Sequence, residues 1–341
     1  MGLEPKISWP LAGRTMLFDV IHHQWSTEIL EAVGILPERL AIPIASGEIT
    51  GIIKPENGLK VGFKNRVTLV AGGHDQTCAA LGAGVIETGM CMYATGTVEC
   101  FCPILDKPSF SEELHRNNLC CYDFTARGKY TSVAYSLTGG NILRWMRDEL
   151  GQSEKAMAAG SGQNAYTLLL DAMPSRPSDL LVLPYFSATG TPYFDTRAKG
   201  AIIGLQLSTT KGEITRALLE GVALEMKLNL QLMEKSGMKI SSLIATGGGT
   251  RNPKWTQLKA DVLNKKIIVR DISEAGCFGA AMLAQSAAEN VPVVELLRHK
   301  DSKVEEFTPN PENAGIYYER FDTYKQLYPA LKQFWAEKQT H

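Results

Sequence analysis

Along the first third of the chain, apolar and polar positions alternate weakly. One block stands out, Val67-Thr68-Leu69-Val70-Ala71, which is β-branched and apolar enough to predict a buried strand. It runs through Gly72-Gly73 into a small-residue helix expected over 75–84. A shorter helix is expected over 27–33 with Ser26 as its cap, followed by a segment punctuated by Pro43, Gly47, Gly51 and Pro55. From Gly89 the pattern changes: 90–94, 98–103, 119–125 and 130–136 read as strands of an antiparallel meander, with turns at Thr95-Gly96-Thr97 and Gly128-Lys129. A helix over 139–150 follows, then an irregular stretch through Pro174, Pro177, Pro184 and Pro192 to Thr210.

The spacing Thr210-Lys211-Gly212-Glu213 is that of a capping box, in which a hydroxyl and a carboxylate each accept a free amide at a helix start. Ile214, Leu218, Val222, Leu228 and Leu232 recur near the helical period up to about Lys235, and Gly237 ends the run. The last third alternates strand 243–246, triglycine, helix 253–263, strand 267–270 and helix 275–289, so the expected core is a mixed sheet with helices on its faces. A terminal amphipathic helix over 319–341 should bury Phe321, Leu327, Leu331 and Phe334.

Composition adds little to this picture but removes several function classes. The 341 residues allow about two domains, and 44% hydrophobic content is ample for a core. With 35 basic and 36 acidic residues the net charge is −1, which gives no field favouring nucleic acid or an anionic membrane. No apolar run approaches a spanning helix and the first residues lack the apolar core of a signal peptide, so a soluble cytoplasmic protein is expected. Seven cysteines without a Cys-x-x-Cys pair read as reduced core residues; Cys100, Cys102, Cys120 and Cys121 lack the paired spacing of a zinc site.

The 31 glycines cluster where chemistry can sit. Gly72-Gly73-His74-Asp75-Gln76 falls at a strand-to-helix junction, where open α/β sheets hold ligands. Asp75 there is either a helix cap or a catalyst, and His74, with no partner in sequence, reads as a packing or surface residue. Thr95-Gly96-Thr97 is either a plain hairpin tip or a small concavity of donors for phosphate oxygens. Thr138-Gly139-Gly140-Asn141 repeats the choice between a cap and an anion site. Gly247-Gly248-Gly249-Thr250-Arg251-Asn252-Pro253 leaves a surface bare of side chains beside a helix start, with Asn252 as cap and Pro253 in the first turn. A dinucleotide site competes for that segment, since Gly247-x-Gly249 follows a strand and Asp271 lies further on, but Asn252 stands where the fingerprint needs a third glycine. In Glu274-Ala275-Gly276-Cys277-Phe278-Gly279-Ala280-Ala281 the small residues read as close helix-to-sheet packing.

Taken in order, these motifs resemble the FGGY family of carbohydrate kinases, its xylulokinase-like members most of all. The set includes Asp195-x-Arg197-x-x-Gly200 with Gly204-Leu205, Gly139-Gly140-x-x-x-Arg144-Trp145 and Leu219-Glu220-Gly221-Val222-Ala223, and it covers nearly the whole chain. The resemblance implies an α/β fold of the actin-like ATPase (ribonuclease H-like) type. It further implies a complete C-terminal nucleotide-binding lobe over 85–341 and only the C-terminal portion of a sugar-binding N-terminal lobe over 1–84. By the same resemblance Asp75 matches the catalytic base that accepts a sugar hydroxyl proton, with Gln76 beside the sugar. Thr95 and Gly96 match a loop holding ATP phosphates and Gly140 a second phosphate contact, while Gly248, Gly249 and Asn252 face the adenosine. ATP and Mg2+ are the implied cofactors and a sugar the partner.

One departure accompanies the match: the family's opening segment, with a phosphate hairpin carrying the aspartate nearest Mg2+ and most sugar contacts, has no counterpart here. The strand at 67–71 is therefore expected to lack sheet neighbours, a liability for association. A complementing N-terminal segment or a homo-oligomer would then be needed for turnover. A nucleotide-binding module without turnover is the alternative, and a dinucleotide-dependent oxidoreductase a weaker one.

Overall fold

The computed structural model describes residues 3–298 and 303–336. Its centre is a six-stranded mixed sheet built from β1 (Met90–Thr95), β2 (Glu99–Pro103), β3 (Ala134–Ser136), β4 (Ser242–Thr246), β5 (Ile267–Arg270) and β6 (Val304–Phe307), in the spatial order β3-β2-β1-β4-β5-β6. β4 runs parallel to both β1 and β5, while the β1–β2, β2–β3 and β5–β6 pairs are antiparallel. Strand alternation sorts the core. Cys91, Tyr93, Leu243 and Ala245 face Met226, Leu230 and Met233 of the long helix Lys211–Lys235, whereas Met92, Cys100, Cys102 and Ile244 face the helices Asp75–Gly82 (α1) and Ala275–Glu289 (α4) on the other side. The long helix, α2, begins at the expected capping box: the Thr210 hydroxyl accepts the Glu213 N–H and Glu213 Oε2 accepts the Thr210 N–H at 2.8 Å. Helix α3 (Pro253–Leu263) lies between β4 and β5 in sequence, and α5 (Pro311–Ala336) closes the far side over α2 and α3.

Helices α1 and α4 touch backbone to backbone. A Cβ added at Gly82 would overlap the Ala275 carbonyl oxygen, and one at Gly279 the Cys78 carbonyl oxygen. The small residues expected to pack a helix on a sheet thus pack a helix on a helix, with Ala80, Leu81, Met282 and Leu283 buried around the crossing. No side-chain rotation relieves such a clash, so Gly279→Ala should cost about 2–3 kcal/mol in urea unfolding. Gly160→Ala, in an exposed helix with nothing within 4 Å of the new methyl, should be neutral or slightly stabilising. Equal stability of the two variants would show that the helices separate freely.

The N-terminal part is made of smaller pieces. Lys6–Ser8 pairs in parallel with Ile42–Ile44, and Thr68–Val70 pairs antiparallel with Ile49–Ile52 through an irregular register. The strand expected to have no neighbour therefore has one; the Gly47 and Gly51 punctuation concealed a strand whose glycine at φ 155 accommodates the Leu3 side chain. Helix Thr27–Val33 forms as expected, with Ser26 accepting the Ile29 N–H and Gly34 in the left-handed region.

Four other expectations change. The strand at 119–125 shrinks to Tyr122–Asp123, paired with Tyr130–Thr131 outside the main sheet, because Asn118 takes a left-handed conformation and Thr125 turns away to donate its hydroxyl to the Thr77 carbonyl. The helix over 139–150 starts at Asn141 and widens to a π turn from Met146 to Leu150. The irregular stretch after it contains helices Gln152–Ser161 and Ala165–Asp171 and the strand pair Leu181–Leu183 with Ala201–Ile203. In α5, Phe321 is buried and Leu327 and Leu331 partly so, but Phe334 is exposed; residues 337–341 of the expected terminal helix lie outside the described residues. All seven cysteines are free, and among the described residues no helix is long and apolar enough to cross a membrane.

Candidate active site

Three glycine-bearing turns converge at the end of β1 and β4. The Gly96 N–H donates to Val98 O at 3.1 Å, closing the β1–β2 hairpin, and the Gly96 carbonyl accepts the Gly140 N–H at 2.8 Å. The Gly139 N–H is shared by Thr97 O at 3.0 Å and Asn141 Oδ1 at 2.8 Å. A Cβ at Gly140 would lie 3.0 Å from Gly96 O, so glycine there permits the two turns to touch. Because both amides are spent on backbone and side-chain acceptors, Gly140 shapes the wall and does not offer its N–H to a ligand.

Thr95 is likewise committed. Its hydroxyl is buried and donates to Thr246 O at 2.9 Å, tying β1 to β4 at their ends. Gly247 (φ 96) and Gly249 pack on it, each placing a hypothetical Cβ 2.9 Å from Thr95 O. The hydroxyl expected to face phosphate is thus a structural tie, and Thr97, exposed on the same turn, is the hydroxyl that lines the cavity. Gly248 differs from its neighbours in that nothing lies within 4 Å of an added Cβ. Asn252 caps α3, its Oδ1 accepting the N–H groups of Lys254 at 3.0 Å and Trp255 at 3.2 Å.

The cavity so formed has a volume of about 560 Å³ and takes in five of the expected residues, Gly96, Gly140, Gly248, Gly249 and Asn252. It also takes in Asn164 and Tyr166 from a helix unseen in sequence, Trp255, which lay outside the motifs, and Arg144 and Arg251, which lay inside motifs without an assigned role. Asn164 carried a signal, since an Asn before an apolar run is a cap, and its Oδ1 does accept the Tyr166 N–H at 2.9 Å. Trp255 is backed by a buried ion pair. Lys259 Nζ lies 2.6 Å from Glu99 Oε1 and 4.1 Å from the centre of the Trp255 ring, and the Tyr93 hydroxyl donates to the other Glu99 oxygen. Burial pulls the Lys259 ammonium below its ordinary pKa, and Glu99 opposes that pull. A cavity lined by glycine turns, aromatic and amide side chains and the arginines Arg144 and Arg251 suits a molecule with a flat part and an anionic part.

Asp75 and Gln76 open α1 on the neighbouring face. Asp75 is the first helical residue after His74, and its side chain is 82% exposed, so it is not the helix cap. The Gln76 amide oxygen accepts the Cys100 thiol at 3.0 Å, and Cys100 pairs with Ala94 one step from the Thr95–Glu99 pair that leads into the Gly96 turn. Gly73 is required by Thr125, whose methyl a Cβ would overlap. His74 corrects the expectation of a packing residue: it stands between Asp75 Oδ1, 3.2 Å from Nε2, and the Tyr122 hydroxyl, 3.1 Å from Nδ1. The remaining motifs serve the fold. Glu220 binds Arg216 and Tyr317 in the core, Asp195 accepts from Tyr328, and Gly221 lets α2 approach Val182.

This site lies in a chain that belongs to the FGGY family of carbohydrate kinases. The family's C-terminal domain matches residues 84–288 and its N-terminal domain residues 8–82. Among individual proteins it is similar to the xylulose kinase of Lactococcus lactis subsp. lactis, 30% identical over 328 residues that make up 93% of this chain and 62% of that one. The gluconokinase of Bacillus subtilis is 28% identical over 91% of this chain and 61% of its own. The crystal structure of ligand-bound xylulose kinase from Lactobacillus acidophilus shares the fold with a TM-score of 0.86 at 22% identity, covering 97% of this chain and 66% of that one. The chain thus spans about 62% of the length of the curated relatives it matches.

Proposed function

We propose that this chain carries the nucleotide site and the general base of an ATP-dependent carbohydrate kinase. The nucleotide-binding lobe would occupy 85–341, and the base would come from the end of a sugar-binding lobe over 1–84. The observation that carries this reading is the cavity bare of side chains at Gly248, in a chain whose α1 opens on the exposed Asp75 carboxylate with Gln76 bonded to Cys100 of the hairpin that leads into the Gly96 turn. Trp255, Tyr166 and Asn164 would hold the nucleoside, the Gly96 and Gly248 turns would lie against the phosphates, and Asp75 with Gln76 would face the acceptor. Phosphoryl transfer leaves little covalent work to the protein, so holding the phosphates and aiming the hydroxyl are the tasks these residues perform.

The acceptor is a polyhydroxylated sugar or sugar acid, the chemistry common to xylulose and gluconate. Mg2+ would supply charge neutralisation on the phosphates. Among the described residues no group of three or more His, Cys, Asp or Glu side chains converges on one position, and an ion on the phosphates would need only one or two carboxylates beside them. We assign the metal carboxylate and most sugar contacts to polypeptide equivalent to the part of the relatives this chain does not span. The exposed apolar side chains Ile49, Leu59, Val61 and Phe63 near the strand Thr68–Val70 support an arrangement in which such polypeptide covers them.

Calorimetry with ATP, ADP and NAD tests the reading. ATP or ADP should bind and NAD should not; the reverse pattern would revive the oxidoreductase. Gly248→Val supplies the sharper test, because Gly248 lines the cavity and a Cβ added there has nothing within 4 Å. It should weaken nucleotide binding at least tenfold while the unfolding midpoint stays where it was. Unchanged affinity would place the nucleotide elsewhere. ATP binding with no phosphorylation across a sugar panel, even with the completing polypeptide supplied, would favour a module without turnover.

A further inference from the structure

The long helix α2 buries a carboxyl group that the site does not use. Glu225 is 1% exposed and lies in the seam where α2 meets α5 and the strand Leu181–Leu183. Two phenols donate to one of its oxygens, Oε2: Tyr324 from α5 at 2.6 Å, and Tyr185, just past that strand, at 3.2 Å. The other oxygen, Oε1, is buried with no hydrogen-bond partner among the described residues. Asn229 follows one turn on, along the same helix face; it is wholly buried as well, and its Oδ1 also lacks a donor. The seam thus holds more acceptors than donors.

No opposite charge fills the gap. Among the described residues no cation stands against Glu225. Tyr193 and Tyr328 stack at 3.8 Å nearby, Tyr185 meets Tyr328 edge-on at 5.9 Å, and Tyr328 donates to Asp195, which faces Arg197. Lys227, on α2 itself, lies over the Phe321 ring of α5 at 5.3 Å and has Asp322 as its opposite charge. An unpaired charge in such a place is costly, and a carboxyl group escapes the cost by keeping its proton. Burial pushes the Glu225 pKa up to about 7, against the pull of the Tyr324 and Tyr185 hydrogen bonds. Burial also keeps both phenols protonated, so they remain donors.

We propose that Glu225 sits in the folded protein as the neutral acid and that loss of its proton loosens α5 from α2, which makes the seam a pH-sensitive clasp. The clasp is independent of Asp75 and of the kinase reading. Because folding raises the pKa from its ordinary 4.5, the stability supplied by the proton is complete below about 4.5 and is lost as pH climbs through about 7. The head of α5 also holds α3: Asp261 accepts the Asn310 N–H and the Asn313 side-chain amide, each at 2.8 Å, and α3 carries Trp255 into the cavity.

Urea unfolding of the wild type and of Glu225→Gln, from about pH 5.5 to about pH 8.5, tests the clasp. Glutamine keeps the shape and cannot ionise, while every other group titrates in both proteins. The ratio of the wild-type unfolding constant to that of the variant should therefore grow about tenfold over this range, and a ratio that stays flat overturns the proposal. Should glutamine prevent folding, the wild type alone decides through the ¹³C shift of the Glu225 carboxyl. Its midpoint should fall at about 7, and a midpoint at the ordinary 4.5 overturns the neutral acid. Hydrogen exchange locates the effect. Amides of α5 around Tyr324 should lose protection above neutral pH, relative to those of β1 and β4 and after correction for the base catalysis of exchange, in the wild type but not in Glu225→Gln. Protection of α5 that is indifferent to pH overturns the clasp even if the carboxyl titrates late.

Discussion

On the kinase reading proposed above, and with the completing polypeptide supplied, Asp75→Asn should lower the rate of sugar phosphorylation by about 10²–10⁴-fold, an added barrier of about 3–5 kcal/mol, while nucleotide affinity stays within twofold. The size follows from what a positioned base supplies. The amide oxygen of asparagine can still orient a hydroxyl but cannot take its proton as the bond to phosphorus forms. The split between rate and affinity follows from place. Asp75 starts α1, outside the cavity formed by the Gly96, Gly140 and Gly248 turns, and it is too exposed for its loss to unsettle the core. An ADP-release assay over a panel of sugars, run beside calorimetry, checks both halves. A variant that phosphorylates at the wild-type rate would remove Asp75 from the chemistry, and one that loses nucleotide binding would place it in the wrong half of the site.

Lys259→Met should cost roughly 3–5 kcal/mol of folding stability in urea unfolding, because it strands a carboxylate in the core. Glu99 and Lys259 expose 0% and 1% of their side chains, and the ammonium is the one cation within reach of Glu99 among the described residues. The partner variant Glu99→Gln/Lys259→Met, neutral on both sides, should recover more than half of the loss. The ion pair also lies under the glycine-lined cavity proposed to hold the nucleotide. A Cβ at Gly139 would meet Glu99 Cγ at 2.8 Å, and Trp255 rests on Lys259, so nucleotide affinity should fall in the single variant and return in the double. If the single variant proves as stable as the wild type, water reaches Glu99 and the pair is not the support it is taken to be.

Elements whose signals are local were legible in the sequence. Helix Pro253–Leu263, strand Ile267–Arg270 and helix Ala275–Glu289 form where the periodicity and the caps place them, and α2 starts at its capping box. The strands at 42–44 and 49–52 were not legible, because a proline and two glycines gave them the composition of a loop while their partners lay elsewhere in the chain. The site divided in the same way. Gly96, Gly140, Gly248, Gly249 and Asn252 reach one cavity because glycine turns at strand ends leave a local mark. Tyr166 and Trp255 enter it through helix packing, which leaves none. Thr95 shows the limit of a motif: residue type and spacing cannot say whether a hydroxyl points at a ligand or at the Thr246 carbonyl. His74 shows the converse, since its partner Tyr122 is 48 positions away.

The crossing of α1 on α4 has a mechanical meaning. Where Gly82 meets Ala275 and Gly279 meets Cys78, main chain bears on main chain, and neither helix can roll or slide without collision. The carboxylate at the head of α1 is therefore tied to α4 and shifts only with it. Just upstream the packing is looser, since a Cβ added at Gly72 would meet nothing within 4 Å. The head of α1 is thus set by main-chain contact rather than by side chains, so substitutions on the exposed faces of either helix leave the direction of Asp75 unchanged.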